Sequence, residues 1–168
     1  FTPNTYIKGI AFNNYYKLAN VSSLNIDNNK IVLDAGSGYG VGFPLLSEAN
    51  KTYTLSYDVD YNGTTNVMSS ILFYKTDGTY INNSIKKSTT SEHAIYSFTT
   101  PADTYYMVVT FVVNNTSSIA TFSNIQLEEG DTATPYVPYL ITPSTNVSTN
   151  SNHTLKAIYT SYCDIQGI

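Results

Sequence analysis

Two aspartates stand two residues apart in KTYTLSYDVDYNG, and two glutamates are adjacent in IQLEEGDTATPYVPY. Glycoside hydrolysis uses paired carboxyl groups ~5 or ~6.5–9.5 Å apart, and residues at i and i+2 on one strand face can span the larger gap. Hydrolytic pairs normally come from different elements around a deep cleft, however, and nothing near Asp58 or Asp60 marks either as an acid of raised pKa. Hydrogen bonding to ligand hydroxyls, or plain solvation, is the favoured role for both. The remaining catalytic inventory is thin. His93 and His153 lack metal-ligand spacing, Cys163 has neither a disulfide partner nor a nearby base, and no Gly-x-Ser-x-Gly elbow occurs. GSGYGVG (36–42) has neither the Lys-Ser/Thr of a phosphate loop nor the G-x-G-x-x-G spacing. It reads as a flexible β-connection with Tyr39 at its tip, an aromatic able to stack on a ligand. These absences count against an enzyme.

The elements that must position these residues are strands. In KTYTLSYDVDYNG, Tyr53, Leu55, Tyr57, Val59 and Tyr61 fall on one face, with Thr54, Ser56, Asp58 and Asp60 on the other. Asn62-Gly63 then supplies a turn. The segment VMSSILFYKTDGTYINNSI predicts a hairpin through Ile71 and Phe73, turning at Asp77-Gly78 and returning through Tyr80 and Ile81. Ile95–Phe98 is strand-like and ends before Pro101. YYMVVTFVV (105–113) is apolar on both faces and predicts a central strand. LNIDNNKIVLDAG predicts a hairpin turning at Asn28-Asn29, and SIATFSNIQLEE a closing strand. No helical periodicity persists beyond about two turns. The expectation is an all-β, two-sheet antiparallel sandwich over residues 1–139. A polar linker and a strand-like C-terminal tail follow over 140–168.

Composition narrows the partners. The chain has 168 residues, a formal charge of −4, eight lysines and no arginine. Nucleic acid, which calls for a basic stripe, is disfavoured, and so is an anionic membrane surface. No apolar run approaches the ~20 residues of a membrane-spanning helix, so no membrane insertion is expected. Phe1 opens directly into Thr-Pro-Asn-Thr with no signal peptide, and the sequence reads as a fragment or a mature piece. Tyrosine is the residue in surplus, at 16, while tryptophan is absent. Its ring can lie against a sugar face and its hydroxyl can bond sugar hydroxyls. Tyr53, Tyr57, Tyr61 and Tyr96 sit on apolar faces and are expected inside. Tyr74 and Tyr106 are out of phase with Phe73 and Phe111, which places them on the outer side.

In linear order, KTYTLSYDVDYNG, ILFYKTDGTYI, AIYSFTTPADTYYMVVTFVV and FSNIQLEEGDTATPYVPY resemble a jelly-roll carbohydrate-binding module. This class is appended to bacterial glycoside hydrolases and found in phage tail and baseplate proteins. The resemblance covers about residues 24–139, and IQLEEGDTATPYVPY is its most specific part. It implies a jelly-roll β-sandwich that binds saccharide on a concave face or at its edge loops. It also implies, in some members, a structural Ca²⁺ held partly by an acid just before the last strand's apolar pair. Ser123-Asn124 stand there instead, so the expected carboxylate is missing; no cofactor is expected, and a structural calcium is the alternative left open.

The sequence therefore predicts a non-catalytic saccharide-binding module on a phage virion, meeting host cell-wall polysaccharide and other baseplate or tail proteins. Tyr39, Tyr74 and Tyr106 are expected to stack on the sugar, and Asp58 and Gln126 to bond its hydroxyls. The alternatives are a structural baseplate assembly domain that binds no sugar and, last, a glycoside hydrolase. Glu128 and Glu129 are read as part of a clasp, in which Ile125 and Leu127 turn inward. Pro135 and Pro138 stiffen the exit, letting Tyr136 and Tyr139 pack back on the sandwich.

Overall fold

The computed structural model describes residues 16–17, 21–27, 30–35, 40–63, 67–113 and 119–137. They form ten strands: β1 (Tyr16–Lys17), β2 (Val21–Asp27), β3 (Lys30–Ala35), β4 (Gly40–Leu46), β5 (Thr52–Tyr61), β6 (Val67–Tyr74), β7 (Tyr80–Ser88), β8 (Glu92–Thr99), β9 (Tyr106–Val113) and β10 (Ile119–Glu129). The first sheet runs β1-β4-β9-β6-β7 and the second β2-β3-β10-β5-β8. Every pairing is antiparallel. The molecule is the jelly-roll sandwich that the strand pattern predicts.

The period-two alternation on β5 holds throughout: Tyr53, Leu55, Tyr57, Val59 and Tyr61 are all buried between the sheets. β9 is the middle strand of its sheet. Met107, Val109, Phe111 and Val113 face inward from it against Val41, Phe43 and Leu45 of β4 and Ile71 and Phe73 of β6. An aromatic knot joins the layers. Phe111 meets Tyr57 edge-on at 5.4 Å and Phe122 of β10 at 4.9 Å, and Phe43 flanks it at 6.2 Å.

Turn chemistry fixes the register of the hairpin that matters most below. Gly78 adopts φ +83°, and the Asp77 carboxylate accepts the Thr79 amide at 2.9 Å. β7 then carries one extra residue. Phe73 pairs with Asn82 but Tyr74 pairs with Tyr80, so Ile81 forms a bulge and packs against the core. Gly40 is held to glycine by a close approach, because a Cβ there would lie 1.6 Å from the Phe111 carbonyl oxygen.

A second bulge interrupts β10 between Ser123 and Gln126, where Asn124 takes φ 50°. Beyond it Ile125 and Leu127 point inward. Gln126 and Glu128 point outward, yet both are buried, because the segment after Gly130 folds back over them. Tyr136 is partly buried there, whereas Pro138, Tyr139 and the anticipated linker and tail lie outside the described residues.

Candidate functional site

The outward face of the first sheet is built by alternation on four strands. Register places Leu46 and Pro44 of β4 beside Tyr106 and Val108 of β9. It places those beside Tyr74 and Leu72 of β6, and these beside Tyr80 and Asn83 of β7. Farther along the face Ser70 and Thr110 are neighbours, tied by a 2.9 Å hydrogen bond from the Thr110 hydroxyl to the Ser70 carbonyl. Ile85 and Lys87 complete the edge.

Three tyrosines stand in a row across this face. Tyr74 and Tyr106 are directly opposed on adjacent strands, with ring centroids 4.8 Å apart and planes 5° from parallel. Tyr80 meets the other side of Tyr74 at 5.7 Å and 66°. That spacing equals the separation of neighbouring strands, so the rings of the parallel pair face one another and stand upright on the sheet. The Tyr74 ring is enclosed by its two neighbours. What the row presents to solvent is ring edges, phenol hydroxyls and the open side of Tyr80, which is 50% exposed at the sheet edge. Burial first, then the nearby Tyr106 and Tyr80 phenols, pushes the Tyr74 phenol above its ordinary range. It therefore remains a protonated hydrogen-bond donor at neutral pH.

The structure divides the residues that the sequence singles out. Tyr74 and Tyr106 come together on the outer face, as their phase predicts, but pack against each other rather than lying flat. Asp58 stands on the outward face of the second sheet, on the opposite side of the sandwich. Gln126 is 0% exposed. Its amide is committed to the exit segment: Val137 N donates to Oε1 at 2.9 Å, and Nε2 donates to the Thr134 carbonyl at 3.1 Å. It is part of the clasp and offers no open group to a sugar. Tyr39 lies outside the described residues. Sequence reasoning missed Tyr80, and it missed Asn83, Ile85 and Lys87 because the Ile81 bulge shifts the phase of β7 beyond Tyr80. The Asp77-Gly78 turn alone would have put Tyr80 near Tyr74.

The acids have other partners. Asp58 accepts hydrogen bonds from His93 Nδ1 at 2.5 Å and from Asn124 Nδ2 at 2.6 Å. Partial burial works to raise its carboxyl, but these bonds outweigh it and hold Asp58 below the usual carboxylate range. A general acid needs the reverse shift. Asp60 accepts the Ser91 hydroxyl at 3.0 Å, and Glu129 pairs with Lys51 at 2.5 Å. Where the resemblance implies calcium, Ser123 and Asn124 offer no carboxylate and Asp58 is already bonded through both oxygens. Among the described residues, that place offers no uncommitted carboxylate, whereas calcium takes several oxygen ligands including carboxylates. Among the described residues, His, Cys, Asp and Glu form no cluster of three able to hold a metal, and no helix is long and apolar enough to cross a membrane.

Comparison with known proteins locates the fold. No protein-family model matches this chain, and no curated protein matches it. Among solved structures, it is similar to the enzymatically active domain of tailspike protein 4 from bacteriophage CBA120. The TM-score is 0.59 at 13% identity, over 76% of this chain and 22% of the tailspike's. The C-terminal family 22 carbohydrate-binding module of Clostridium thermocellum Xyn10B gives a TM-score of 0.56 at 11% identity, covering 79% of this chain and 97% of that one. The N-terminal cellulose-binding domain of Cellulomonas fimi β-1,4-glucanase C gives 0.53 at 12%, covering 77% and 98%. The chain thus has the jelly-roll fold of carbohydrate-binding modules and spans about a fifth of the tailspike domain.

Proposed function

We propose that this chain is a non-catalytic saccharide-binding module of a phage tail or baseplate protein, assisting adhesion to host cell-wall polysaccharide from the virion. The observation that carries the reading is the Tyr106–Tyr74–Tyr80 row on an outward sheet face. It combines an apolar ring surface with hydroxyl donors and stands apart from every acid on the second sheet. The similarity to a xylanase module and a cellulose-binding domain supports the saccharide. The closing IQLEEGDTATPYVPY segment and the likeness to a tailspike domain support the phage setting, where other baseplate or tail proteins would be its neighbours.

The sugar lies along the first sheet in this reading. Tyr80 contributes its free ring side, and the upright Tyr74 and Tyr106 contribute hydroxyls. No cofactor takes part. A shallow, wet face gives weak binding per copy, and several copies on one particle compensate through effective concentration. Titration against purified wall polysaccharide tests it. Tyr80→Ala should weaken binding about three- to tenfold, the worth of one aromatic contact, without lowering the melting temperature appreciably. Full affinity in Tyr80→Ala, or silence of the wild type toward every wall glycan, overturns the reading.

A further inference from the structure

The two sheets differ sharply in charge. The strands of the first sheet carry Lys17, Lys86 and Lys87 and no carboxylate. The strands of the second carry Asp58, Asp60, Glu92, Glu128 and Glu129 among others. The net charge of −4 hides this separation. Within the first sheet the lysines are not equivalent. Lys86 turns toward the second sheet and pairs with Glu92 at 3.3 Å. Lys87 faces outward, is exposed, and makes no ion pair with a described residue.

Lys87 lies opposite Met68 and Tyr80 opposite Tyr74, so the lysine and the tyrosine row sit at the two ends of one edge, ~20 Å apart at ~3.3 Å per residue. Three carboxylates in the loops around the tyrosine end have partners within the chain: Glu48, two residues beyond Leu46, stands 3.7 Å from Lys51, Asp77 accepts the Thr79 amide, and Asp103 pairs with Lys75 at 3.3 Å. Carboxylates are strong acceptors for sugar hydroxyls, and a platform for a neutral saccharide gains by carrying them. This face carries none. Its exposed polar groups can donate: phenols, the Asn83 amide and the Lys87 ammonium. Anionic oxygens only accept, and they match such a face.

Resting on the saccharide reading above, we infer that the first-sheet face takes a polysaccharide bearing anionic groups, phosphate or carboxylate, with Lys87 as their counter-charge. The test titrates the whole chain with three polymers: a neutral xylan, a polygalacturonate and a glycerol-phosphate-linked polymer. Each is measured at low and at physiological salt, for the wild type, Lys87→Gln and Lys87→Arg. At least one anionic polymer should bind more tightly than the neutral one and weaken as salt rises, and the better of the two identifies the group. Lys87→Gln should cost about tenfold for that polymer, as expected for loss of one charge-assisted hydrogen bond. It should cost the neutral polymer much less than the anionic one, and Lys87→Arg should restore most of the loss. Neutral binding as tight as anionic, or anionic binding indifferent to Lys87→Gln, overturns the inference and leaves the saccharide reading standing. Silence toward all three polymers overturns the inference, and the saccharide reading falls with it only if purified wall polysaccharide is silent too.

Discussion

Phe111→Ala should destabilise the protein by about 3–5 kcal/mol, the usual cost of removing a fully buried phenylalanine. The reason is its place. Phe111 is 0% exposed on the middle strand of the first sheet, and its ring contacts Phe43 within that sheet and Tyr57 and Phe122 across the core. No neighbouring side chain can fill the gap without leaving its own rotamer, because interiors are packed to near-crystalline density. The expected loss is a large share of the ~5–15 kcal/mol that stabilises an ordinary domain. Urea unfolding with linear extrapolation measures it. Phe111→Leu should lose much less. A loss below about 1 kcal/mol for Phe111→Ala would mean that the two layers do not meet at this ring.

The second large effect concerns the clasp. Glu128 is only 7% exposed, and its carboxylate accepts the Thr134 amide at 2.9 Å and the Thr134 hydroxyl at 2.5 Å. Thr54 adds a bond from its hydroxyl to the Gly130 carbonyl at 2.8 Å, and Gln126 holds Val137. Glu128→Ala removes the carboxylate to which the amide and hydroxyl of Thr134, on the covering segment, donate. At about 1.5–3 kcal/mol for each hydrogen bond to a charged group, partly recovered by water, the expected cost is about 2–4 kcal/mol. Amide hydrogen exchange distinguishes release of the clasp from a general loosening. Protection at Thr134 and Val137 should collapse while that of β9 persists. Unchanged protection at Thr134 would show that the carboxylate does not hold the exit segment.

Much of this was legible in the sequence, and the rest was hidden for definable reasons. Alternation alone assigned the inward residues of β5, and Asp77-Gly78 located the β6–β7 turn, because both are local properties of the chain. The clasp was legible from the inward phase of Ile125 and Leu127 and from the prolines that follow. Alternation says whether a residue points in or out but not which sheet it belongs to. Asp58 and Tyr74 therefore looked like members of one site and stand on opposite sides of the sandwich. Bulges were hidden too. Ile81 shifts the phase of β7 beyond Tyr80 and so sets Asn83 and Ile85 on the outer face, and Asn124 turns its amide onto Asp58. The upright stance of Tyr74 and Tyr106 follows from a direct cross-strand pairing of residues far apart in sequence. Gln126 looked available because the segment that covers it is visible only once the chain has folded back.

In the proposed function the outward face of the first sheet is the ligand surface. Backbone amide NMR shifts, followed while the protein is titrated with wall-derived oligosaccharide, test it most directly. Saturable shifts are expected at Leu72, Tyr74, Tyr80, Asn83, Ile85 and Tyr106, with the amides around Asp58, His93 and Asn124 unmoved. Shifts centred on Asp58 and His93, or none on the first sheet at saturating ligand, would contradict it.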